Sequence, residues 1–79
     1  MFSSGHPVTI TLGAWGMYVI MTGHQYTSQD YATFLVYAAS GGTNYATLYN
    51  GGNVTFARDK LTITLTTSGT DTRYVVARL

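Results

Sequence analysis

Leu61-Thr62-Ile63-Thr64-Leu65-Thr66 alternates an aliphatic side chain with a threonine at every step. Successive side chains of a strand point to opposite faces, so this period of two predicts a strand with Leu61, Ile63 and Leu65 buried and the threonines wet. Threonine suits such an exposed strand face. Val8 to Leu12 repeats the pattern, with Val8, Ile10 and Leu12 set against Thr9 and Thr11. Between and around these two segments, turn-forming clusters recur: Gly5-His6-Pro7, Gly13-Ala14, Thr22 to Asp30, Ser40-Gly41-Gly42, Asn50-Gly51-Gly52-Asn53, Arg58-Asp59-Lys60 and Thr67 to Asp71. Their spacing of about eight to twelve residues, separating short β-branched and aromatic runs, predicts an all-β antiparallel sandwich of about seven strands, jelly-roll-like.

The other expected strands are Trp15 to Met21, Tyr31 to Ala38, Asn44 to Tyr49, Asn53 to Ala57 and Thr72 to Leu79. No segment starts like a helix and continues with a period of 3.6. Asn50 to Asn53 and Ser68 to Asp71 offer positive-φ positions, which predicts hairpins between the fourth and fifth and the sixth and seventh strands; Gly41-Gly42 and Gly51-Gly52 read as hairpin turns. Residues 1–7 read as a flexible lead and residues 8–79 as one domain.

Two strands break the simple alternation. Trp15 to Met21 carries Met17, Val19 and Met21 on one side and Tyr18 and Ile20 on the other; Tyr31 to Ala38 carries Phe34 and Val36 on one side and Tyr31, Leu35 and Tyr37 on the other. A strand apolar on both faces needs a second cover beyond its own core. Ordering 79 residues costs on the order of 100 kcal/mol, and a domain this small buries a reduced fraction of its surface. The chain has no cysteine to staple it. Another copy of the chain is the expected cover, with Trp15, Tyr18, Ile20, Tyr31, Leu35 and Tyr37 as the oligomer interface.

Charged residues make up 9% of the chain, with no Glu and a net charge of +1. Arg58, Lys60, Arg73 and Arg78 are too few to track a phosphate backbone, which argues against a nucleic-acid partner. The first 57 residues contain no Lys or Arg, so the basic region of a secretory signal is missing. The apolar run at Met17 to Met21 is far too short to insert as a membrane helix.

The residues offer little chemistry. His6 and His24 are the only imidazoles, and without Glu or Cys no zinc set is apparent, so neither metal nor cofactor is expected. Ser28, His24 and Asp30 form a triad only on paper, and no glycines frame a nucleophile elbow. The expectation is a non-enzyme. Loops on small β scaffolds carry binding, and His24, Gln25 and Tyr26, with Asn44 and Tyr45, are the candidate binding residues: aromatic rings to stack on sugars and amides to bond their hydroxyls.

The segment GGNVTFARDKLTITLTTSGTDTRYVVARL, Gly51 to Leu79, resembles the ending of bacteriophage tail-fibre and related virion proteins. In those endings a G-x-N-V-T strand, an L-T-I-T-L-T strand, a small polar turn and a last strand with a basic residue close a β-sandwich head. GMYVIMTG, Gly16 to Gly23, and ATFLVYAA, Ala32 to Ala39, are similar to the strands such heads place at the core and trimer interface. The resemblance implies a homotrimeric knob, located on the virion, that caps a fibre or binds a host-surface glycan or protein receptor. Such heads follow a long shaft; this chain starts with Met1-Phe2-Ser3-Ser4-Gly5, and the expectation is either an excised terminal domain or a free-standing small protein. The alternative reading is a monomeric carbohydrate-binding module of a secreted, extracellular bacterial protein.

Overall fold

A computed structural model describes residues 1–13 and 15–79, so the expected Gly13-Ala14 turn falls partly outside the described residues. Seven strands run β1 Val8–Thr11, β2 Gly16–Gly23, β3 Ala32–Ala39, β4 Gly42–Asn50, β5 Val54–Asp59, β6 Thr62–Thr67 and β7 Arg73–Arg78. All pairings are antiparallel, in a three-stranded sheet β1-β6-β5 and a four-stranded sheet β4-β3-β2-β7. A single 3₁₀ turn, Ser28–Asp30, lies in the β2–β3 connection.

The alternation read in the sequence sets the inner faces. Ile63 and Leu65 of β6 are fully buried, with Val8 and Ile10 of β1 and Val54 and Phe56 of β5 beside them. They meet Tyr18 and Ile20 of β2, Ala32, Phe34, Val36 and Ala38 of β3, and Val76 of β7. Phe34 and Phe56 join the two layers with ring centroids 4.8 Å apart, and Tyr45 stacks on Phe56 at 4.0 Å. Arg58 of β5 ties the open margin of the layers together. Its guanidinium donates to the Thr43 carbonyl and, at 3.0 Å, to Asn44 Oδ1, and lies over the Tyr45 ring.

Three sequence expectations need correction. First, Asn50 to Asn53 and Ser68 to Asp71 are not hairpins, because β4 and β5, and likewise β6 and β7, belong to different sheets. These segments cross between layers. Gly51 is needed because a Cβ there would lie 2.8 Å from Gln29 Cα of the 3₁₀ turn, while Gly41 and its φ of 86° do serve the β3–β4 hairpin. Second, residues 1–7 are not a loose lead: Phe2 is 3% exposed and exchanges backbone hydrogen bonds of 2.8 and 2.7 Å with Thr72, while Ser4 N–H donates to the Gly69 carbonyl. An aromatic ring two residues into the chain fills the end of the sandwich. Third, Tyr18 and Ile20 are 6% and 0% exposed inside their own core, so they are not available to a partner.

Asp30 fastens the loop end of the sandwich. It is 2% exposed, its carboxylate accepts from Asn53 Nδ2 at 2.6 Å and Thr72 Oγ1 at 2.9 Å, and its carbonyl accepts from Thr22 Oγ1. A buried carboxylate is tolerated only when hydrogen-bonded. Here one side chain binds the 3₁₀ turn to both crossing connections.

Candidate functional site

The outer face of the four-stranded sheet is built by register. Val19 pairs with Leu35 on one side and Ala77 on the other, and Leu35 pairs with Ala46, so these four form one row across the sheet. The row on one side of it runs Tyr49, Thr33, Met21 and Val75; on the other it runs Asn44, Tyr37 and Met17, with Leu79 N–H bonded to the Met17 carbonyl. Met17, Met21, Tyr37 and Val75 are 44 to 50% exposed. None of these rows contains a charged residue. This apolar face is left uncovered by its own chain.

Leu35, Tyr37 and Tyr31 thus lie on the uncovered side as expected, and exposed Trp15 borders it beside Met17 and Leu79. The β2 residues that join them are Met17, Val19 and Met21 instead of Tyr18 and Ile20. Both faces of β2 are apolar, so only the pairing to β3 decides which one meets Leu35.

At one end of this face the β2–β3 connection and β7 enclose a shallow depression of about 400 Å³ lined by Thr22, Gly23, His24, Gln25, Tyr31 and Arg73. Tyr26 and Asp71 border an adjoining hollow that shares His24, Gln25 and Arg73. Tyr26 N–H donates to His24 Nδ1 at 3.0 Å, so the neutral imidazole keeps its proton on Nε2 and presents a donor. Arg73 supplies the cation of this cleft. It was missed as a site residue because β7 reaches the loop only through pairing with β2, about fifty residues away in sequence.

Asn44 and Tyr45 do not join this cleft. Asn44 lies level with Met17 and His24 follows Gly23, six residues along β2, which is about 20 Å at roughly 3.4 Å per residue. Tyr45 is held by its stacking on Phe56 and Asn44 by Arg58, so both serve the margin between layers.

For reaction chemistry, the Asp30 carboxylate bonds Asn53 and Thr72 and His24 Nδ1 is taken by a backbone amide, so Ser28, His24 and Asp30 are not linked as base and orienter. Among the described residues no three His or Asp side chains converge as metal ligands. No described helix is long and apolar enough to cross a membrane. No family model, no curated protein and no solved structure matches the chain.

Proposed function

We propose that this chain is a non-enzymatic assembly and attachment module: three copies pack the outer faces of their four-stranded sheets around a common axis, forming a virion fibre tip. The observation that carries the reading is the apolar face of β2, β3, β4 and β7, uncharged across its three central rows, which its own chain leaves open. The cleft of His24, Gln25, Tyr26 and Arg73 is the part turned to a host-surface receptor. Light scattering on the purified chain tests assembly. A mass about three times the 8.6 kDa chain supports the reading, and a monomer at micromolar concentration overturns it. Adsorption to host cells that persists unchanged in Tyr26→Ala and Arg73→Ala would remove the cleft from the attachment role.

The second reading, a monomeric carbohydrate-binding module, draws on Tyr26, which is 81% exposed beside the cleft. The same mass measurement separates the two.

A further inference from the structure

We infer that the trimer is closed by strand pairing as well as by apolar contact, with the free edge of β4 in each copy hydrogen-bonded to the free edge of β7 in the next. This rests on the trimeric reading and specifies its joint.

The four sheet edges of the sandwich are not alike. β1 is four residues long, β5 carries Arg58 and Asp59, and β7 carries Arg73 and Arg78 and is covered at its start by the Phe2–Thr72 bridge. β4 is nine residues long and has neither charge nor proline. An edge of this kind is a template for another strand unless something covers it. Thr43 shows which groups face outward: its carbonyl points away from β3, where Arg58 of the same chain takes it, so the uncovered part of the edge begins after Thr43. Backbone groups alternate in an antiparallel ladder, so Tyr45 and Thr47 also point outward.

The opposite edge has the matching phase. Leu79 donates to Met17 across β2, so Leu79 and its alternates Ala77 and Val75 face β2 while Tyr74, Val76 and Arg78 face out. Neighbours in a four-stranded antiparallel sheet alternate in direction, so β4 and β7 run oppositely. Rotation about an axis along the strands brings β4 of one copy beside β7 of the next, antiparallel and at unchanged height. Ala46 and Ala77 belong to one row, and they meet as a non-hydrogen-bonded pair. Tyr45 then faces Arg78 and Thr47 faces Val76, outward groups against outward groups.

The dimensions suit three copies. Four strands spaced about 4.8 Å apart make a side about 19 Å wide, and a triangle of that side places each sheet about 5.5 Å from the axis. Facing sheets pack about 10 Å apart, or about 5 Å from each to the midplane, so the prism fills with its own side chains. Corners have the least room. The middle row puts alanine at both corners, Ala46 and Ala77, and the larger Val19 and Leu35 at the centre of each side.

The native chain lacks cysteine, which makes the joint directly testable. In Ala46→Cys/Ala77→Cys, mild oxidation is expected to yield a covalent trimer on a non-reducing gel, since a non-hydrogen-bonded antiparallel pair has the separation a disulfide needs. Neither single variant is expected to crosslink. A trimer by light scattering whose double variant stays uncrosslinked, or a covalent dimer from Ala46→Cys alone, overturns the β4–β7 joint and leaves the trimer standing. A monomeric wild-type chain overturns both. If the double variant misfolds, Thr47→Pro decides, because it deletes one outward amide and spares the β3 ladder. It is expected to raise the concentration needed for assembly by about tenfold or more, and an unchanged concentration overturns the joint.

Discussion

Asp30 is the residue on which the loop end depends. Its replacement by Ala strands the donors of Asn53 and Thr72 in a buried site, which is expected to cost about 2–4 kcal/mol in urea unfolding, with Asp30→Asn costing less because it keeps the shape and one acceptor. Gly69 packs against the same carboxylate, and a Cβ there would lie 2.5 Å from Oδ1. Gly69→Ala is therefore expected to lower stability by about 1–3 kcal/mol, read in the same assay, although Gly69 lies in a polar loop. Neither role is legible in the sequence. A lone Asp in a stretch of Thr, Ser and Gln looks solvated until the fold delivers Asn53 and Thr72, 23 and 42 residues later, to its two oxygens.

At the level of the element, the positions of all seven strands follow from alternation and punctuation, as Leu61 to Thr66 and Val8 to Leu12 illustrate. Connections are less legible. Glycine-rich Asn50 to Asn53 has the composition of a hairpin turn, yet its glycine is there for close approach to the 3₁₀ backbone. The phase of β2 was unreadable for a different reason: hydrophobicity on both sides removes the signal that normally selects the inner face. Arg58 illustrates a cation that reads as surface charge and acts as a seam. Arg58→Ala is expected to loosen the β4–β5 margin, with faster hydrogen exchange at Asn44, whose amide faces β3, and a global loss under about 1 kcal/mol.

For the whole molecule, the excess of apolar side chains on β2 and β3 was legible in the sequence, while the face that leaves them uncovered had to await the register. Val19 and Leu35 occupy the centre of that surface and point away from the core. Val19→Lys/Leu35→Lys is therefore expected to reduce the scattering mass to that of one chain while circular dichroism keeps its strand signature. Salt should restore little of the assembly, because it screens the repulsion between the added ammonium groups and leaves their desolvation cost in place.

Topology also dictates an order of events. The meander β2-β3-β4 can zip locally, but the remaining flank of β2 waits for β7, which arrives only after β5 and β6 have been laid down in the other layer. Until then β2 offers an unpaired border from Tyr18 to Gly23 and the core lacks Val76. Refolding should accordingly be slow for so short a chain, in the millisecond-to-second range, and a version stopped at Asp71 should precipitate where the intact chain stays clear.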